Sequence, residues 1–170
     1  MEEEIINRVS NSQLTTFDLE ELYTSGERVL FDVKPLLFQE LVLKEKDFRD
    51  FVKSHDWSQY QNKYVAITCS ADAVVPTWAY MLLSTSLQPV ASQVVFGTLQ
   101  DLENILFKQA LDKVDWEKFT KAKVVIKGCS KVNVPVSAYV EATNKLRPIA
   151  SSIMFGEPCS TVPIFKKKLS

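Results

Sequence analysis

The sequence predicts an α/β protein: a mainly parallel sheet flanked by helices on both faces, built from an internal duplication of a helix–strand–helix–strand unit. Three observations predict it. The chain matches itself over a long ungapped stretch. Within each copy, short β-rich runs alternate with segments of helical periodicity. Prolines recur where the helices would begin and end.

Shifting the 170-residue sequence by 59 places lays residues 48–97 over residues 107–156, and 15 of the 50 positions are identical. Random pairing at ordinary residue frequencies gives about three. Among the matches are Phe48/Phe107, Trp57/Trp116, Ile67/Ile126, Pro76/Pro135, Tyr80/Tyr139, Phe96/Phe155 and Gly97/Gly156. Trp, Pro and Tyr agreeing in one register point to a repeat rather than to coincidence of common residues.

Each element follows from its local pattern. Residues 46–55 carry Phe48, Phe51 and Val52 at helical spacing, and residues 105–114 repeat this with Ile105, Leu106 and Leu111. Residues 64–68 and 124–127 are short β-rich runs, as expected of buried parallel strands. Pro76 and Pro135 stand where helices would start, because a first helical position needs no N–H. Those helices run to about Leu87 and Leu146, and Pro89 and Pro148 stop them. Residues 93–96 and 152–155 are the closing strands, each followed by a Gly. Strand–helix–strand alternation implies parallel pairing with helical crossovers. Before the repeat, residues 1–35 read as an N-terminal arm and a strand over 28–33, while 14–19 fit a strand or an irregular arm equally. Residues 158–170, with two prolines and the run Lys166-Lys167-Lys168, read as an extended C-terminal arm with Ile164 and Phe165 packed down. The whole of 1–170 is expected to form a single domain, long enough to fold on its own core.

Composition narrows the function. Twenty basic and 21 acidic residues leave a formal net charge of −1, which removes the electrostatic case for a nucleic-acid partner. Four glycines and one histidine leave no room for a dinucleotide fingerprint, a P-loop, a nucleophile elbow or a two-histidine site. The start Met1-Glu2-Glu3-Glu4 is the opposite of a signal peptide, and the most apolar stretch, 73–83, is far short of a span and carries Pro76. No membrane is expected. Three cysteines, an odd count, fit reduced thiols in the cytoplasm.

Those cysteines share a phrase. Cys69-Ser70 precedes Val75-Pro76, Cys129-Ser130 precedes Val134-Pro135, and Cys159-Ser160 precedes Val162-Pro163. Each follows a strand, so in one parallel sheet all three would lie at the carboxyl edge, where open α/β sheets place ligands. The expected site is a metal centre held by Cys69, Cys129 and Cys159, with Asp72 and Glu157 as weaker candidate ligands or bases. Zinc or an iron–sulfur centre suits such thiolates. Thiol or sulfur exchange is a second chemistry. Ser70, Ser130 and Ser160 would bond a thiolate or a bound anion. The plainer alternative is three small cysteines buried between strand ends and helices. For Asp72 and Glu157 it is a solvated loop carboxylate.

His55 ends a helix that leads into a strand, so it is expected at the opposite edge from Cys69. Trp57 and Trp116 are expected as core anchors. Tyr80 and Tyr139 are expected as packing residues first, with a phenol reaching the site second. Trp78 could line a cleft, with burial the plainer expectation.

The phrases LKEKDFRDFVKSHDWSQY, CSADAVVPTWAYMLL, IKGCSKVNVPVSAYVE and MFGEPCSTVPIFKKK resemble a bacterial family called domain of unknown function 2480, over nearly the whole chain. The family has no assigned activity. The resemblance implies a genomic association with iron–sulfur assembly, which tips the balance slightly toward the metal or sulfur reading and identifies no catalytic residue. The leading expectation is therefore a cytoplasmic protein with a cysteine-lined site, a partner in metal or sulfur handling, and a homo-oligomer as a further option. Its rivals are a non-catalytic interaction or scaffold protein with structural cysteines, and an enzyme that binds a small anion at the Pro76 and Pro135 helix starts.

Overall fold

The computed structural model describes residues 14–128 and 130–168. The first thirteen residues of the expected N-terminal arm, Cys129, and the last two residues of the C-terminal arm lie outside these. The described chain is mixed α/β. It runs β1 (Leu14–Asp18), β2 (Arg28–Asp32), α1 (Glu45–Ser54), β3 (Tyr64–Thr68), α2 (Thr77–Leu87), β4 (Gln93–Phe96), α3 (Leu99–Leu111), β5 (Lys123–Lys127), α4 (Val136–Leu146), β6 (Ser152–Glu157) and β7 (Ser160–Lys166), with short 3₁₀ turns between.

Pairing is largely parallel, as expected, but it is divided between two sheets rather than gathered into one. The orders are β2-β3-β4 and β1-β5-β6-β7. The described residues cluster correspondingly into two compact units, 25–105 and 14–24 with 106–128 and 130–168. The physical reason lies before the repeat. Two strands are available there, and each pairs with a different copy: β2 runs parallel to β3 and β1 parallel to β5. Residues 14–19, open between strand and arm, are thus a strand through Asp18.

In the unit of residues 25–105, β3 is apolar on both faces, with Val65, Ala66 and Ile67 all buried. α2 covers it with Ala79, Leu83 and Leu87, spaced four apart so that one stripe faces inward. α1 adds Phe48, 1% exposed, and Phe31 comes from β2. Trp57 closes the end of α1, its indole Nε1 donating to the Val52 carbonyl at 2.9 Å.

The unit holding β5 and β6 repeats these devices at the shifted positions. Val124, Val125 and Ile126 are buried in β5, and Ala138, Ala142 and Leu146 face the core from α4. Trp116 Nε1 donates to the Leu111 carbonyl at 3.3 Å. Each Pro carbonyl at a helix start accepts from the residue three on, Ala79 N to Pro76 and Ala138 N to Pro135, both at 2.9 Å. Each helix end is closed by the same bond, Ala91 N to Leu87 and Ala150 N to Leu146, both at 2.8 Å. Both Trp residues pack half-buried against their cores, as anchors should.

The tail differs from an arm. β7 pairs antiparallel with β6 through the two-residue turn Pro158-Cys159. Phe165 packs against the core with the Arg147 guanidinium 3.9 Å from its ring centroid, whereas Ile164 stays 52% exposed.

Candidate binding surface

The carboxyl ends of β2 and β3 bring Asp32, Cys69 and Ser70 together. Asp32 lies opposite Thr68 in the ladder, so the next two residues pass directly over its carboxylate. Ser70 donates to it twice, from Oγ at 2.5 Å and from the backbone N–H at 3.0 Å, and Lys34 N–H donates at 3.0 Å. The other unit uses Glu20, which accepts from the Ser130 N–H, from Ser130 Oγ at 2.9 Å and from Lys131 N–H at 2.8 Å. Both serines therefore serve carboxylates of their own unit. Asp18, at the end of β1, holds Lys127 at 3.2 Å.

These bonds set the carboxyl acidities. Burial pushes Asp32 up, but hydrogen bonds from Ser70 and Lys34 outweigh it and hold the group below its usual value of 3.8. The Lys131 N–H, opposed by burial and joined by Ser130, lowers Glu20. A carboxyl with a folded-state pKa below its unfolded value stabilises the fold above that unfolded value, and the contribution is lost as pH falls through the folded pKa. Asp32→Asn should thus flatten the loss of urea resistance between roughly pH 5 and pH 3. An unchanged slope in that variant would count against the clamp.

Cys69 and Cys159, the two described cysteines, do not assemble a centre with other described residues. Among the described residues no three His, Cys, Asp or Glu side chains come close enough to hold a metal ion. Cys69 is half-buried and its thiol faces the Ala71 carbonyl at 3.8 Å. Cys159 is exposed at the tip of the β6–β7 turn, between Glu157 and Ser160, which pair with each other and are also exposed. Asp72 is exposed in the loop after β3. Cys129 lies outside the described residues. The repeat register also separates the phrases: it lays Cys69 over Gly128 and Ser70 over Cys129. Tyr80 lies near enough to Cys69 and Asp32 for burial first, then those charges, to raise its phenol. In the other unit a Cβ on Gly128 would meet the Tyr139 hydroxyl at 2.6 Å, so the glycine makes room for that phenol.

Among the described residues His55 shares no contact with a thiol. Its Nε2 lies 3.2 Å from Tyr60 Oη and 3.1 Å from Gln59 Nε2, and its ring packs edge-on against Trp57. Trp78 sits edge-on to Phe48 with the Arg49 guanidinium 5.2 Å from its ring centroid.

The feature that sequence reasoning missed is an apolar groove in each unit. One, of about 210 Å³, is lined by Ile67, Tyr80, Met81, Ser84, Val94, Val95 and Phe96. The other, of about 340 Å³, is lined by Ile126, Val136, Tyr139, Thr143, Phe155 and Ile164. Four positions correspond in the repeat register: Ile67/Ile126, Tyr80/Tyr139, Ser84/Thr143 and Phe96/Phe155. In each groove the Tyr ring meets the Phe edge-on, with centroids 5.0 Å apart for Tyr80–Phe96 and 5.7 Å for Tyr139–Phe155. The available signal was the repeated Phe-Gly at each closing strand, an aromatic at a strand end that did not have to be core.

Fold and site define a two-sheet α/β protein with a matched pair of apolar surface grooves. The chain belongs to the family described as "Protein of unknown function (DUF2480)", whose model matches residues 3–167. No curated protein and no solved structure matches it. No helix among the described residues is long and apolar enough to cross a membrane.

Proposed function

We propose that this chain is a binding module, built by duplication, that receives apolar side chains of a partner protein in its two grooves. The observation that carries this reading is the exposure of apolar side chains around both grooves. Phe96 is 69% and Met81 64% exposed in one, and Val136, Phe155 and Ile164 are 76%, 44% and 52% exposed in the other. Monomeric proteins rarely leave such groups clustered without a use. The recurring hydrogen bonds at helix starts, helix ends and tryptophans support the duplication. The polar groups at the strand ends support binding over group transfer, because Ser70 and Ser130 are already held by Asp32 and Glu20.

An environment-sensitive apolar dye tests it. The native protein should enhance dye fluorescence, and Phe96→Asp combined with Phe155→Asp should abolish the enhancement while far-ultraviolet circular dichroism stays unchanged. A native protein that leaves the dye dark would end the proposal. The metal or sulfur reading requires Cys129 beside at least one other thiol. Elemental analysis of anaerobically purified protein decides it, and one equivalent of zinc or iron per chain, lost on Cys129→Ala, would restore it over the present one.

A further inference from the structure

The two grooves differ in the strands that flank them. In the unit holding β5 and β6, the strand beside the groove has a neighbour on each side. β6 pairs with β5, and with β7 running antiparallel, so that Ile153 lies opposite Phe165 and Phe155 opposite Val162. Its counterpart in the repeat register, β4, pairs among the described residues with β3 alone. The reason is in the chain. After β6 the backbone turns at Pro158-Cys159 and returns as β7, whereas after β4 it passes through Gly97 and Thr98 directly into α3.

The outer edge of β4 keeps the capacity that β7 uses on β6. Gly97 N–H donates to the Ile67 carbonyl at 2.9 Å, toward β3. N–H directions alternate along a strand, so those of Phe96 and Val94 point the other way. These are the counterparts of Phe155 and Ile153, the residues that lie opposite β7. The side-chain surface is correspondingly incomplete. Ile164 of β7 forms part of the larger groove, and no described residue fills that role beside β4. Phe96 is 69% exposed against 44% for Phe155.

We propose that β4 accepts an extended segment of a partner protein as an added antiparallel strand. The segment carries aliphatic side chains in alternation, as β7 carries Val162 and Ile164, and these close the groove over Phe96 and Met81. This is strand addition to a sheet edge, in which backbone bonds give affinity and side-chain pockets give selectivity. The inference rests on the groove being a binding surface and adds what occupies it. A second copy pairing β4 to β4 is disfavoured, since a stable interface buries roughly 1,200–2,000 Å² and a four-residue strand offers little of that.

The test uses the full chain, isotope-labelled, and a synthetic peptide with the sequence of residues 160–167. The expected result is that amides of Val94 and Phe96 shift and exchange more slowly on titration. Phe96→Asp should weaken binding about tenfold or more, the scale set by burying a Phe side chain. Shifts confined to Tyr80 and Met81, without protection of β4 amides, would overturn strand addition and leave the groove reading standing. Peptide that acts only at Ile153 and Phe155 has displaced β7 and overturns the proposal. So does a free protein that sediments as a dimer with β4 amides already protected. No response at either strand or groove overturns both readings.

Discussion

Phe48→Ala is expected to lower the free energy of unfolding by about 3–5 kcal/mol, the range for deleting a buried aromatic ring. Phe48 is 1% exposed and packs edge-on against Trp78 with ring centroids 5.9 Å apart. The surrounding helices and strands are tied by their own ladders and cannot collapse into the space, so the lost transfer energy is joined by a cavity term. Phe107→Ala, at the matching repeat position and also 1% exposed, should cost a similar amount. Phe51→Ala, on the same helix but half-buried, should cost clearly less. Urea unfolding followed by tryptophan fluorescence and circular dichroism measures all three. A loss under about 1 kcal/mol for Phe48→Ala would show that this ring is not part of the core.

Gly156→Ala should be the most damaging exchange among the glycines. Gly156 has φ +117°, where a side chain is strained, and an added Cβ would stand 2.6 Å from the backbone oxygen of Ser160. That oxygen is fixed by the β6–β7 ladder and cannot move aside cheaply. A cost of about 1–3 kcal/mol is expected, with faster exchange of the β7 amides. Gly128→Ala makes a control. Its closest clash is with the Tyr139 hydroxyl, the far end of a side chain that can rotate, and its φ is not in the positive region. If β7 amides stay protected in Gly156→Ala, the hairpin geometry is not as described.

The parts of the fold legible in the sequence are those whose signal is local. β3, α2 and β4, with β5, α4 and β6, fall where β-rich runs, helical spacing and flanking prolines place them. What was not legible is pairing. β1 and β2 lie outside the repeat, and nothing in LTTFD or RVLFD tells which copy each will join. β7 was hidden by Pro163, which breaks a strand pattern yet is tolerated opposite Met154 on an edge strand. What Ser70 and Ser130 bond to was illegible for a related reason. Strand-end position brings each Cys-Ser phrase to a sheet edge, but contact is decided by neighbours far along the chain. Ser70 meets Asp32 across 38 residues, and Ser130 meets Glu20 across 110. Spacing within a phrase carries no information about either.

The interleaving of the two units along the chain fixes an order of assembly. β2, β3 and β4 come from one continuous stretch and can form their sheet while later residues are still being synthesised. β1 has no such opportunity. Thr16 faces Val125, so the strand must wait while more than a hundred residues are made before its partner exists. Loop-closure cost grows only slowly with length, but pairing this non-local is slow to find. A nascent chain thus carries Leu14–Asp18 as an unsatisfied strand edge until β5 is made, and the adjacent Thr15 and Thr16, with Asp18, keep that waiting segment from being uniformly hydrophobic.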